Sequence, residues 1–285
     1  MDQYLNWHAI LLLNNFSTPK PATCESGILE WNQVESAGAM SAFCGIFAGF
    51  VFAGIIMVIG GNPQGGDGHS SRGLRLLLSC FFGLAASSYL YSIVTGELVC
   101  SRAFTAGVLS GGILAADAVV SVVALAWLLL ANERNKHGEV RFFSGLIHLS
   151  AQFSALMLTV SSISFSGRML NRQVPLWFNL LVLASGVTVM SAVFLCWRKP
   201  SPDAPSGTTP ERWRNEGFPN RSVSACAWTT LVLSGILAVS AGVVSGIPHE
   251  FWLHVPPWVV YLTGEAPLLL SGAILTTAVR AVPKI

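Results

Sequence analysis

Charged residues are scarce in this chain of 285 residues: Asp, Glu, Lys and Arg account for 11% of the sequence, against 52% for hydrophobic residues. Soluble globular domains carry about 25% charged residues, so a soluble fold is excluded. The net charge of +2 lacks the basic excess of a nucleic-acid surface, which excludes nucleic acid as a partner. The composition therefore predicts an integral membrane protein whose first partner is the lipid bilayer.

Metal-binding patterns are also missing. The chain has 6 cysteines but no CxxC, HExxH or Cys/His cluster, so we expect neither a bound metal nor a cofactor. Cys24 and Cys100 fall on the same predicted external side, where a disulfide persists, and we predict that they pair. The other cysteines lie in or beside apolar segments, where a thiol acts as a small apolar group.

Long apolar runs are abundant. A transmembrane helix needs about 20 apolar residues, and seven windows of this kind predict an all-α integral membrane protein, a bundle of seven transmembrane helices. Residues 1–36 form a predicted external segment, and residues 37–285 form the membrane domain with a long loop at about 198–223. The predicted spans cover approximately 37–60, 73–95, 104–131, 142–165, 174–197, 224–247 and 257–280.

The positive charges are unevenly distributed between the connections. Most Lys and Arg residues fall in the first and third connections between spans, the long loop and the C-terminal end, on one side of the predicted bundle. The positive-inside rule then predicts an external N-terminus and a cytoplasmic C-terminus. The Arg-, Gly- and Ala-rich composition favours a bacterial plasma membrane, and the 198–223 loop is a candidate contact for a cytoplasmic partner.

Two acids interrupt the apolar spans. Asp117 lies in the middle of "GGILAADAVVSVVALAWLLL" at 111–130, where a charge costs about 2.5–3.5 kcal/mol on insertion scales. Helical periodicity places it on one face with Ser110 and Ser121, so we expect it to point into the bundle. Glu265 lies in the last span beside Pro267, whose missing N–H interrupts the helix and favours backbone that lines a cavity or packs against protein.

Asp117 and Glu265 are the candidate catalytic residues, at the floor and the mouth of an outward-facing cavity bounded by the second, third, fifth and seventh spans. Asp117 has a structural alternative as a hydrogen-bonded link between helices, and Glu97 is interpreted as an ordinary solvated acid. Arg102, Arg168 and Arg172 at the predicted outer ends of spans could each pair with Glu97 or Glu265, or extend to the lipid headgroups. The candidate substrate-binding residues are Tyr89, Tyr91, His148, Gln152, Asn179, Trp258 and Tyr261, of which His148 and Gln152 belong to a polar stripe on the fourth span and Trp258 also fits an interfacial aromatic belt.

The run "AASSYLYSIVTG" at 85–96 is similar to the second helix of microbial rhodopsins, and Arg102 opens the third span. The resemblance implies seven spans with an external N-terminus. It does not extend to retinal, because Leu269 stands one turn after Glu265 where that family has its lysine, and the lysines lie outside the spans. The layout also resembles that of small seven-span terpene cyclases, which use buried carboxylic acids to protonate an isoprenoid.

Three functions are compatible with these features. The first is an enzyme in which an intramembrane carboxylic acid protonates a lipophilic, isoprenoid-like substrate, as in a cyclase or isomerase. The second is a non-enzymatic sensor whose acids anchor a ligand. The third is a proton-coupled transporter or channel in which Asp117, Glu265 and His148 form a relay. A lipophilic small molecule is the expected partner in the first of these.

Overall fold

The computed structural model describes residues 33–60, 68–132, 137–170, 174–198, 221–253 and 255–282. The seven predicted spans are confirmed as helices, each long and apolar enough to cross a bilayer. Residues 1–32 of the predicted N-terminal segment and most of the 198–223 loop lie outside the described residues, and residues 33–36 belong to the first helix. The helices are α1 (Gln33–Gly60), α2 (Gly68–Thr95), α3 (Cys100–Asn132), α4 (His137–Met169), α5 (Leu176–Arg198), α6 (Arg221–Gly246), the short α7 (His249–Leu253) and α8 (Pro257–Arg280).

Helix α3 forms the centre of the bundle. It packs against α1, α2, α4, α6 and α8, and α8 in turn packs against α3, α4, α5 and α6. Among the residues in the most apolar stretch of each helix, 61% are buried in α3 and 22% are buried in α1. A polar residue on α3 is therefore much better shielded from lipid than one on α1.

The two central helices approach closely at Gly112. The Ser271 hydroxyl of α8 donates to the Gly112 carbonyl at 2.8 Å, and a Cβ added at Gly112 would lie 2.8 Å from Pro267 Cβ. Small residues allow such backbone approach between membrane helices. Helix α8 continues through Pro267. Of the two settings expected for this residue, a cavity lining or a contact with protein, it has the second.

The polar stripe of α4 faces the bundle from its middle onward. The Ser162 hydroxyl donates to the Gly264 carbonyl of α8 at 2.7 Å. The Gln152 amide donates to the Met190 carbonyl of α5 at 3.0 Å. These contacts connect α4, α5 and α8 into one three-helix interface, called here the α4–α5–α8 seam.

Polar contacts close the two ends of the bundle. At the Glu97 end, Arg102 pairs with Glu97 at 2.6 Å and donates to the carbonyls of Ser245, in the last turn of α6, and Ile247, just after it, at 3.1 and 3.0 Å. At the opposite end, called here the Ala281 end, the Trp127 indole donates to the Ala281 carbonyl at 2.8 Å. The pairing of Glu97 with Arg102 is among those that the sequence left open.

We predict that Gly112→Ala destabilises the fold. Its Cβ would lie 2.8 Å from Pro267 Cβ and 3.1 Å from Ser271 Oγ, and overpacking of this kind costs about 1–3 kcal/mol. Gly235→Ala on α6 is the matched control, because an added Cβ there meets no atom within 4 Å. Thermal unfolding of the detergent-purified protein measures both, and equal melting temperatures for the two variants would contradict the packing described here.

Candidate functional site

Asp117 points into the bundle, as helical periodicity predicts. Its side chain is 0% exposed and lies against Gly83 of α2, where an added Cβ would overlap Oδ2 and stand 2.6 Å from Cγ. The Cys80 thiol, also on α2, donates to the backbone carbonyl of Asp117 at 3.6 Å. Glycine at 83 is therefore what makes room for the carboxyl group.

The Asp117 carboxyl group is buried without a hydrogen-bond partner. Within the described ranges, neither Oδ1 nor Oδ2 meets a donor or acceptor. The hydroxyls of Ser110 and Ser121 on the same helix donate instead to their own backbone, at Ala106 and Ala118. The structural alternative required a direct hydrogen bond from the Asp117 carboxyl group to a neighbouring helix. The described residues do not form one.

Glu265 occupies a different contact. Its side chain is 8% exposed, and both carboxyl oxygens lack a hydrogen-bond partner in the described part of the chain. Ser185 of α5 is the polar side chain that interacts with it, although not in hydrogen-bonding geometry. Tyr261, one turn earlier on α8, packs its ring on Phe178 of α5 with centroids 4.4 Å apart.

The structure does not bring the two acids together. Asp117 faces α2, Glu265 faces α5, and the α3–α8 contact at Gly112 lies between them. Counted from that contact at 1.5 Å per residue, the two acids differ in depth by about 13 Å. The expected cavity with Glu265 at its mouth and Asp117 at its floor is therefore not supported by the packing of these helices.

A groove of about 520 Å³ lies elsewhere, between α1 and α2. Tyr89, which is 66% exposed, lines it, and neither acid does. Tyr91 is buried against α3 with its hydroxyl oxygen 3.4 Å from the Cβ position of Gly111. Trp258 is 64% exposed at the start of α8, as the aromatic-belt alternative expects. These three aromatic residues do not join Glu265 in the α4–α5–α8 seam.

The remaining candidates lie along the α4–α5–α8 seam. The His148 ring stacks on Trp197 of α5 with centroids 4.5 Å apart, and its Nδ1 is buried without a partner in the described ranges. The Oδ1 atom of Asn179 is likewise buried and unpaired there. Glu265, His148 and Asn179 thus share one interface, which periodicity along single helices could not show.

The cysteines divide as the sequence suggests. Cys100 is disulfide-bonded, and its predicted partner Cys24 lies outside the described residues, so the pairing itself stays a prediction. Cys44, Cys80, Cys196 and Cys226 are buried and form no disulfide. Across the described residues, no group of three His, Cys, Asp or Glu side chains is placed to hold a metal ion.

Comparison with known proteins supplies no assignment: no protein-family model, curated protein or solved structure matches the chain. The seven long apolar helices support a membrane-type bundle, and they do not indicate an activity. Any assignment of function rests on the chemistry of the side chains described above.

We predict that Gly83→Ala destabilises the protein by about 1–3 kcal/mol, because the added methyl group collides with the Asp117 carboxyl. Asp117→Ala removes the colliding atoms, so Gly83→Ala should cost much less in that background. A thermal-unfolding cycle of the two single variants and the double variant measures this coupling. Equal costs of Gly83→Ala in both backgrounds would show that the two side chains do not touch.

Proposed function

We propose that the protein carries protons along the α4–α5–α8 seam, with Glu265 and His148 as the groups that exchange them. The observation that supports this most is that unpaired buried polar atoms recur along one interface. Both Glu265 oxygens, His148 Nδ1 and Asn179 Oδ1 are buried without partners among the described residues, and all belong to this interface. Carboxyl and imidazole groups are the usual proton carriers of membrane proteins.

The two proton-exchanging groups lie far apart along the membrane normal. The hydrogen bond from Ser162 to the Gly264 carbonyl sets Glu265 level with Ser162 of α4. His148 is four helical turns away on α4, which corresponds to about 21 Å at 1.5 Å per residue. Since the hydrocarbon core is about 30 Å thick, Glu265 and His148 together bridge most of it.

Polar side chains occupy the interval between them. Ser185 lies beside Glu265, Thr159 of α4 packs at Gly186 of α5, and Gln152 donates to the Met190 carbonyl. Buried polar atoms without a protein partner are usually satisfied by water. In this proposal, water joins these side chains into a path through which protons pass.

Acid catalysis is the second candidate, and it uses the same carboxyl group. Glu265 retains 8% exposure. One turn away, the Tyr261 ring packs at a tilt against Phe178 and edge-to-face against Trp177, at centroid distances of 4.4 and 5.1 Å. An isoprenoid-like substrate that enters from the bilayer between α5 and α8 would meet an aromatic wall and a proton donor. Asp117 has no place in this site.

Proton flux into liposomes tests the proposal. We expect the purified protein, reconstituted with a pH dye inside the vesicles, to acidify the lumen when a potassium diffusion potential drives proton entry. Glu265→Gln and His148→Phe should each lower this flux by about ten-fold or more, because each removes an exchanging group. His148→Phe keeps an aromatic ring stacked on Trp197.

Glu35→Gln is the matched control, since Glu35 is an exposed acid on α1 outside the seam. Flux in protein-containing vesicles that equals that of empty vesicles would contradict proton transfer, as would full activity in Glu265→Gln. Conversion of an isoprenoid probe without proton flux, lost in Glu265→Gln, would favour acid catalysis.

A further inference from the structure

Glu265 lies at the boundary between the bundle and the surrounding lipid. On either side of it along α8, Leu262 and Leu269 are 63% and 51% exposed. Residues three or four positions apart share one face of a helix, so Glu265 belongs to the edge of the face that α8 turns to lipid. Both of its carboxyl oxygens are nevertheless buried. The acid is therefore separated from the bilayer by side chains alone.

Helices α5 and α8 run in the same direction and stay in register beside Glu265. Tyr261 packs on Phe178 at a centroid distance of 4.4 Å, and a Cβ added at Gly272 would lie 2.6 Å from Val189 Cγ2. The same number of residues separates these two contacts on each helix. Glu265 is therefore level with the part of α5 that lies one turn after Phe178.

The neighbouring part of α5 also faces lipid. Leu181, at the level of Glu265, is 48% exposed, and Trp177, one turn before it, is 57% exposed. The Trp177 ring packs edge-to-face on Tyr261 at a centroid distance of 5.1 Å. Trp177, Phe178 and Tyr261 form an aromatic surface, called here the Tyr261 wall, which is open to the bilayer and lies one turn, about 5.4 Å, from the acid.

No cationic side chain in the described ranges neutralises Glu265. The salt bridge found there joins Arg102 to Glu97, and the polar side chain that interacts with Glu265 is the neutral Ser185. An isolated carboxylate is strongly disfavoured in an apolar environment. The Glu265 carboxyl group therefore needs either a proton or a cation in contact with it.

We propose that Glu265 binds a lipophilic monovalent organic cation, which enters from the bilayer between α5 and α8. One positive charge neutralises one carboxylate, and the rings of the ligand pack on the Tyr261 wall, since aromatic faces attract cations. The exposed Leu181 and Leu262 make the approach apolar, which selects a ligand that first dissolves in the membrane. This inference rests on the proposed function, in which Glu265 exchanges protons, and names the ligand for which it exchanges them.

Binding replaces a proton by the cation. The carboxyl O–H bond of Glu265 breaks, the proton passes to water, and the carboxylate holds the cation by charge without a covalent bond. One positive charge leaves as another arrives, so the site stays neutral. Because the two compete for the same carboxylate, the cation should bind more weakly as the pH falls.

Few other titratable or charged groups of the described chain lie around Glu265. Tyr261 is its neighbour on α8, Ser185 of α5 does not titrate, and the α4 residues packed at this level are serines. Arg168, farther along α4, stacks on a phenylalanine of α3 at 5.0 Å. Asp117 of α3 faces α2. The pH dependence of cation binding should therefore report Glu265 itself.

Tetraphenylphosphonium and tetraphenylborate are the probes for this site, because the two ions have the same shape and opposite charge. Isothermal titration of the full-length protein in detergent, corrected for the heat of mixing with empty micelles, measures binding of each. We expect saturable binding of tetraphenylphosphonium alone, with release of a proton into a weakly buffered solution. Its affinity should decrease as the pH is lowered.

Variants assign the binding to the acid and the wall. Glu265→Gln should weaken tetraphenylphosphonium binding by about ten-fold or more, because it removes the countercharge. Trp177→Leu should weaken it by about two- to five-fold, because it removes one aromatic face. Asp117→Asn and Trp228→Leu are the matched controls and should keep the wild-type affinity. Asp117 is also a buried, unpaired acid but faces α2, and Trp228 is 66% exposed on α6.

Equal binding of the two probes would overturn this inference, as would wild-type affinity in Glu265→Gln. If Glu265→Gln does not fold, a wild-type affinity that does not change with pH would overturn it instead. Proton flux in liposomes without tetraphenylphosphonium binding would contradict the cation site and leave proton transfer standing. Cation binding with proton release, but without flux, would contradict proton transfer along the seam and leave the cation site standing.

Discussion

A carboxyl group at the middle of an apolar helix must be kept away from lipid, and the bundle is arranged around that constraint. Helix α3, which carries Asp117, is the helix with the most neighbours and the deepest burial. Glycines provide the space: Gly83 admits the carboxyl group, and Gly112 admits α8. Because lipid offers no hydrophobic drive for helix association, close packing of this kind is what holds membrane helices together.

The same constraint separates the polar interior into two regions. On one side of α3, Asp117 lies against Gly83 of α2; on the other, Glu265 and His148 lie along the α4–α5–α8 seam. The direct α3–α8 contact divides them. This division argues against one catalytic cavity shared by Asp117 and Glu265.

Sequence reasoning predicted what depends on one helix at a time. The lengths of the apolar runs identified the seven spans. Helical periodicity predicted that Asp117 points into the bundle and that the α4 stripe with Gln152 and Ser162 faces neighbouring helices. Periodicity shows which face of a helix a side chain lies on, but not which neighbouring helix packs against that face. It therefore could not place Asp117 against α2 and Glu265 against α5. Ser87 and Ser234, whose buried hydroxyls have no hydrogen-bond partner among the described residues, were missed because a serine in a span is ordinary.

The separation of the two acids is the central claim, and a double-mutant cycle tests it most directly. Asp117→Asn, Glu265→Gln and the double variant are compared by thermal unfolding in one detergent and one salt. Residues with no shared contact more than about 7–10 Å apart change stability additively, within about 0.5 kcal/mol. We predict such additivity. A coupling of about 1 kcal/mol or more would contradict the account, because it would mean that Asp117 and Glu265 share one site.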